Sequence, residues 1–346
     1  LSFLLSSELL RARSSINSML QLIDNQKALY LKGLESGRGV SIAGGEPGLV
    51  LFYGLGGSGI VGHLASSMFS PESSAPLIVY TTSAPPSWIT QDTLVVLISY
   101  SGETIEVLNA VNFALSKKAK MVAICSGGSL ERKARESGVP LLKVTPNLTP
   151  RMAVPEMLGC VVSILESVNT VRGAASTLSA ALYILDEGVR NFSAEAETPV
   201  NTAKTASLFL LDSLPHAISE STLYPVALRL KNQLNENAKL PCIVIDVPES
   251  MHNTLEALPQ TERDRYIQFR WSGEDRLIGA QLEFLKKLLN QRLFEAHFMG
   301  GRVEAILQST MWSDYVSIYL AALRNIDPAP VSKIAALRRE LERLKT

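Results

Sequence analysis

Continuous apolar runs, rather than alternating ones, are the feature that most narrows what this chain can fold into. In its first half they cover residues 49–54, 77–81, 94–99, 121–125 and 141–144. A strand with one wet face alternates polar and apolar residues, whereas a strand covered on both faces reads as an unbroken hydrophobic stretch. Longer segments with helical spacing lie between them, at 60–69, 104–117 and 130–137. Strand and helix in alternation predict a doubly wound parallel sheet of the α/β class.

The pattern pauses and then resumes. Residues 1–36 have apolar side chains at helical spacing, and residues 153–192 form a long helix-rich section. A helix at 198–211 then precedes strands at 216–219, 243–246, 266–271 and 294–299, with helices at 225–237, 276–292 and 302–324. The 346 residues suffice for about two domains at roughly 150 residues each. The expected organisation is an N-terminal helical segment (1–40), a first α/β domain (41–165), a helical linker (166–197) and a second α/β domain (198–326). After the breaker Asp327-Pro328-Ala329-Pro330, a basic C-terminal helix (327–346) is expected to pack over the site. No low-complexity segment or short repeat stands out.

Charge and cysteine content exclude several functions. Lys plus Arg number 33 and Asp plus Glu 33, so there is no surplus of clustered cations for a nucleic-acid backbone. Any anion site must therefore be local. With 46% hydrophobic and 19% charged residues the composition is that of a globular protein. Cys125, Cys160 and Cys242 are odd in number and far apart, with no Cys/His ligand spacing, so core positions are expected rather than disulfides or zinc. Residues 1–13 lack the basic and apolar regions of a signal peptide. Residues 47–71 carry no Asp, Glu, Lys or Arg and could span a bilayer by length. Their six glycines divide them better into strand, loop and helix, so a soluble, cytoplasmic protein without membrane contact is expected.

That loop, Gly54-Leu55-Gly56-Gly57-Ser58-Gly59, satisfies the G-x-G-x-x-G pattern between a strand and a helix. A dinucleotide site would also place an acidic residue at the end of the second strand to hold the ribose. The second strand ends Val79-Tyr80-Thr81-Thr82, with no acid, and the nicotinamide reading loses its second support. After the third strand comes Ser99-Tyr100-Ser101-Gly102-Glu103-Thr104, again opening a helix. Helix capping explains one hydroxyl, at Thr104, but not three. Helix N-termini with hydroxyl donors suit a phosphate monoester and need no excess of cations. Gly57, Ser58, Ser99, Ser101 and Thr104 are therefore the expected phosphate cup.

The pair GLGGSG and SYSGET resembles the sugar isomerase (SIS) domain, an α/β module that binds phosphosugars. Two copies, with the motifs Asn235-Glu236-Asn237-Ala238-Lys239 and Pro248-Glu249-Ser250-Met251-His252-Asn253, resemble the bifunctional phosphoglucose/phosphomannose isomerases. The resemblance spans about residues 50–341. It implies two doubly wound SIS domains, a sugar-phosphate substrate, a homodimer with shared active sites, and no cofactor or metal. It also implies roles: Glu236 as the base, His252 as the group that helps open the sugar ring, and Arg151 as the active-site arginine. The family's lysine in the last helix is replaced here by Arg338, with Lys333 one turn earlier. Val331 stands where relatives carry a small hydroxyl residue.

Aldose–ketose isomerisation fits these residue types. One carboxylate can carry a proton between adjacent carbons of an enediolate. A cation meets the developing oxyanion, and a histidine with an ordinary pKa near 6.5 can protonate the ring oxygen. The remote phosphate supplies binding energy that positions the reacting carbons. Taken singly, Glu236 at a helix end reads as a solvated residue and His252 as a structural one. Two alternatives stay open: a non-catalytic phosphosugar-binding regulator, which would need neither residue, and an amino-sugar phosphate isomerase or deaminase. Residues 1–36 are too short and too weakly basic for a helix-turn-helix reader.

Overall fold

The computed structural model describes residues 2–343. Its strands are β1 (Leu49–Tyr53), β2 (Leu77–Tyr80), β3 (Thr93–Ile98), β4 (Lys120–Cys125), β5 (Leu141–Lys143), β6 (Leu214–Glu220), β7 (Ile243–Val247), β8 (Asp264–Trp271) and β9 (Leu293–Phe298). They form two wholly parallel sheets, in the orders β2-β1-β3-β4-β5 and β7-β6-β8-β9. Each apolar run expected from the sequence is a strand, with ends displaced by at most two residues.

Burial explains why those runs are continuous. Val50, Phe52, Leu94, Val96 and Ile98 face one core, while Leu51, Tyr53, Val95 and Leu97, which alternate with them, face a second on the other side of the sheet. The second sheet divides likewise, with Ala217, Ile267 and Phe269 on one face and Ile218, Ile245 and Tyr266 on the other. The larger core is continuous through both domains. It includes Leu10, Leu20 and Tyr30 of the N-terminal helices, Met157 and Val161 of the Val154–Ser167 helix, and Trp312, Tyr315 and Tyr319 of the Arg302–Leu323 helix. That last helix is buried from Ala305 to Leu323 on all its faces, as a helix between two packed units must be.

Residues 47–71 resolve into β1, the glycine turn and the Gly59–Phe69 helix, and no helix among the described residues is long and apolar enough to cross a membrane. The three cysteines are free and buried.

The structure corrects two expectations. The helix expected at 225–237 is α-helical only over Tyr224–Gln233; Leu234–Ala238 is a π-turn, closed by Lys239 in the left-handed conformation at φ +52°. The chain also does hold a short repeat. β6 lies between β7 and β8 as β1 lies between β2 and β3. By that correspondence β8 is the counterpart of β3, and three residues recur after them: Ser101-Gly102-Glu103 ahead of the Ile105–Ser116 helix, and Ser272-Gly273-Glu274 ahead of the Arg276–Leu289 helix. A match this brief gains meaning only from its shared place in the two sheets.

Candidate active site

The two loops at the carboxyl ends of β1 and β3 are joined through Ser58. Its Oγ accepts from the Tyr100 backbone N–H at 3.1 Å, and the side chain is buried. Ser99 is buried as well, and its hydroxyl lies 2.9 Å from that of Thr104. Thr104 is the residue before the Ile105–Ser116 helix, yet its side chain makes no capping bond, so capping does not explain this hydroxyl. Nor does any side chain cap the Gly59–Phe69 helix. Both helix N-termini thus keep donors free for an anion. Ser101 Oγ accepts from the Glu103 N–H at 3.3 Å. Gly102, at φ +69°, lets this loop fold against Gly127, whose carbonyl oxygen a Cβ would meet at 1.9 Å.

Gly57 brings the cup against the catalytic candidates. A Cβ there would lie 3.1 Å from the Pro150 carbonyl carbon and 3.2 Å from the Arg151 nitrogen, tight enough that the backbone before Arg151 would have to shift by a few tenths of an ångström. Tyr100 fixes the approach from the other side, donating to the Thr145 carbonyl at 2.9 Å and accepting from Leu148 N–H at 2.7 Å.

Arg151 is 2% exposed and almost fully engaged. Its Nε donates to Asn237 Oδ1 at 2.7 Å, Nη1 to Glu236 Oε2 at 3.2 Å, and Nη2 to the carbonyls of Pro328 and Ala329 at 2.8 and 3.2 Å. A guanidinium has five N–H bonds. The one left over is on Nη1, the nitrogen that also holds Glu236. A reacting oxygen bound there would lie beside the carboxylate. Burial pushes the Arg151 pKa down and Glu236 opposes it, and the group stays a cation.

Buried polar groups that the sequence reading did not single out hold this pair. Arg229 Nη2 donates to the Arg151 carbonyl at 2.7 Å. Asp314 accepts from Arg229 Nε at 2.9 Å, from Gln233 at 2.7 Å and from Gln26 at 2.7 Å. Asn237 donates to Ser317 Oγ at 2.9 Å while accepting from Arg151. The π-turn is what places Asn237 and Glu236 together on Arg151. One signal existed: Asp314, inside the largely apolar 302–324 segment, had to find partners, though nothing local names them. Lys239 donates to the carbonyls of Pro330, at 2.7 Å, and Glu236. Burial lowers its pKa, and neighbouring Arg151 lowers it further.

The remaining candidates are not gathered here. His252 ends the Glu249–His252 turn after β7 and is exposed; among the described residues no hydrogen bond or ion pair joins it to Arg151, Glu236 or the cup. Arg338 and Lys333 are both exposed on the Ser332–Arg343 helix, and Val331 before it is half-buried. Within this chain the site is touched by the lead-in residues 328–330, while the helix itself leaves Ile334 and Leu337 40% and 58% exposed. Among the described residues no group of three or more His, Cys, Asp or Glu side chains is placed to hold a metal ion.

Comparison with known proteins follows the same division. Residues 47–143 match the family model of the SIS domain, and residues 199–341 that of the bacterial phospho-glucose isomerase C-terminal SIS domain. A relative from Caldicellulosiruptor bescii, named bifunctional phosphoglucose/phosphomannose isomerase, is 27% identical over 342 residues, covering 94% of this chain and 100% of its own. A D-glucosamine-6-phosphate 4-epimerase from Sulfolobus acidocaldarius is 29% identical, over 63% of this chain and 66% of its own. In fold, the chain resembles the C-terminal domain of glucosamine-fructose-6-phosphate aminotransferase from Francisella tularensis, with TM-score 0.70 and 15% identity over 89% of this chain and 96% of that one.

Proposed function

We propose, for a chain that belongs to the bifunctional phosphoglucose/phosphomannose isomerase family and carries its two SIS domains, that it interconverts glucose 6-phosphate and mannose 6-phosphate with fructose 6-phosphate. The observation that carries this reading is the Arg151–Glu236 contact beside a hydroxyl-lined cup with two open helix N-termini. The phosphate sits in the cup on Ser58, Ser99, Ser101 and Thr104, with Gly57 giving it room. Glu236 takes the proton from C2 of the open-chain aldose and returns it to C1. The free N–H on Arg151 Nη1 meets the oxyanion of the enediolate between them. Return of a proton to either face of C2 in the common enediolate yields glucose or mannose configuration. The proton travels on a carboxylate and the charge is met by a guanidinium, so this route asks for no metal.

Ring opening is assigned to His252. Because it stands apart from its own chain's Glu236, it serves the site of a second copy in a homodimer, and the Ser332–Arg343 helix brings Arg338 there as a fixed positive charge in place of the family's lysine. The test is fructose 6-phosphate formation from each aldose in EDTA, for wild type and Glu236→Gln. Turnover of both sugars is expected, and a fall of about 10²- to 10⁴-fold in the variant. Absence of turnover with glucose 6-phosphate still bound would move the chain to the non-catalytic sensor. Turnover of glucosamine 6-phosphate alone would select the amino-sugar reading, for which the similarity to the Sulfolobus epimerase speaks.

A further inference from the structure

The two domains place loops at the carboxyl ends of corresponding strands, but they finish them in opposite ways. In the first domain the helices that follow β1 and β3 start without a side-chain cap. In the second, the chain's own carboxylates occupy both corresponding positions. Glu220, the last residue of β6, is 6% exposed. Its carboxylate accepts from Thr222 N–H at 2.8 Å, Leu223 N–H at 3.2 Å, Ser221 Oγ at 3.2 Å and Trp271 Nε1 at 2.9 Å. The two backbone donors lie in the turn that leads into the Tyr224–Gln233 helix, counterpart of the Gly59–Phe69 helix, and the indole comes from the end of β8. Asp275, in the place of Thr104, caps Leu277 N–H at 2.8 Å and Ile278 N–H at 3.4 Å. In the place of Ser99 stands Arg270, committed to Glu274, Glu283 and Glu295. The Arg302 guanidinium lies over the Trp271 indole at 5.6 Å.

We propose that Glu220 is an internal anion that fills the second domain's phosphate seat, so that each chain binds a single sugar phosphate, in the first domain only. This rests on the phosphate cup of the reading above. A buried carboxylate receiving four hydrogen bonds at a helix start satisfies what an exogenous oxyanion would. A second oxyanion at this seat would meet the like charge of Glu220 itself. The specificity of the paired domains then lies in one substitution of chemistry: hydroxyls that wait for an anion in one, carboxylates that replace it in the other.

Equilibrium dialysis of the full chain with inorganic phosphate reads this directly. One site per chain is expected for wild type, none for the Ser99→Ala/Thr104→Val variant, and two for Glu220→Ala, with far-ultraviolet dichroism confirming that the last is folded. In the triple variant the count should return to one. Two sites in wild type would overturn the proposal without any variant. A folded Glu220→Ala that still binds one phosphate would overturn it too. Zero sites in wild type, or one site that persists without Ser99 and Thr104 hydroxyls, would instead strike at the cup of the first domain. If Glu220→Ala does not fold, Glu220→Ser, which removes the charge but leaves a small hydroxyl among the same donors, must show a second site for the proposal to stand.

Discussion

Arg151 Nη1 sits 3.2 Å from Glu236 Oε2, while Nη2 of the same guanidinium holds the Pro328 and Ala329 carbonyls. One side chain therefore links the candidate base to the segment that carries the last helix. A lysine cannot copy this, because an ammonium has no planar fork to reach Asn237, Glu236 and two carbonyls together. Arg151→Lys should lower kcat by about 10²- to 10³-fold, the scale of losing an oxyanion donor. It should also speed cleavage by trypsin near residues 324–333. Steady-state kinetics and a timed digest read the two effects. A kcat loss with an unchanged digest would confine Arg151 to the chemistry.

The cup predicts a different signature. Ser99 and Thr104 pair with each other at 2.9 Å and Thr104 does not cap its helix, so removing the Thr104 hydroxyl costs the fold only the bond to the buried Ser99. Thr104→Val keeps the shape and should raise KM for every phosphorylated substrate by about 10- to 150-fold, as loss of a hydrogen bond to a charged group of roughly 1.5–3 kcal/mol implies. The urea midpoint should fall only by what loss of the bond to the buried Ser99 costs, about 1–3 kcal/mol. A stability loss with KM unaltered would return Thr104 to a structural role.

A shared site can be tested by mixing two dead enzymes. If Glu236 and His252 of one site come from different copies, a dimer of Glu236→Gln with His252→Asn contains one site with both lesions and one with neither. Co-refolding equal amounts should recover about a quarter of wild-type activity, since half of randomly formed dimers are mixed. No recovery, with mixed dimers shown by mass spectrometry, would place both groups in one chain.

Much of this architecture was legible from residues alone, for a physical reason. Strands buried on both faces leave an unbroken apolar signature, and β1 and β3 carry it through Leu51 and Val95 as clearly as through Phe52 and Val96. The glycine and hydroxyl loops were legible because they are local in sequence. The π-turn was not, since Leu234–Ala238 keeps helical composition and only the pull of Arg151 and Ser317 on Asn237 shows why the helix widens there. Asp314 was hidden too. Its partners Gln26, Arg229 and Gln233 come from distant segments, and a lone aspartate in an apolar helix does not name them.

That buried group carries its own prediction. Asp314 is 1% exposed and Arg229 2% exposed, so Asp314→Ala leaves a guanidinium buried without its carboxylate. Breaking such a pair costs about 3–5 kcal/mol. The urea midpoint should fall accordingly. Because Arg229 also holds the Arg151 carbonyl, kcat should drop at denaturant-free conditions where the variant is still folded. A stability loss without a kcat effect would show that Arg151 is positioned by its own contacts alone.

The second sheet offers a pH test away from the site. Burial raises the Glu295 carboxyl, but hydrogen bonds from His297 at 2.6 Å and Lys286 at 3.0 Å outweigh it and bring the pKa to about 2, below the ordinary 4.5. In the unfolded chain the carboxyl takes up its proton near 4.5, whereas the folded chain resists until about 2. Between those values the unfolded state binds more protons, so stability falls as pH falls. The Glu295 contribution is therefore fully present above pH 4.5 and is lost on the way down to about 2. Glu295→Gln removes the titrating group, so its unfolding midpoint should lie below that of wild type near neutrality and approach it as pH falls through this window. Urea titrations at pH 7, 4.5, 3.5 and about 2.5 would show the two curves converging; parallel curves would mean that Arg270, Lys286 and His297 do not favour the ionised carboxylate in solution.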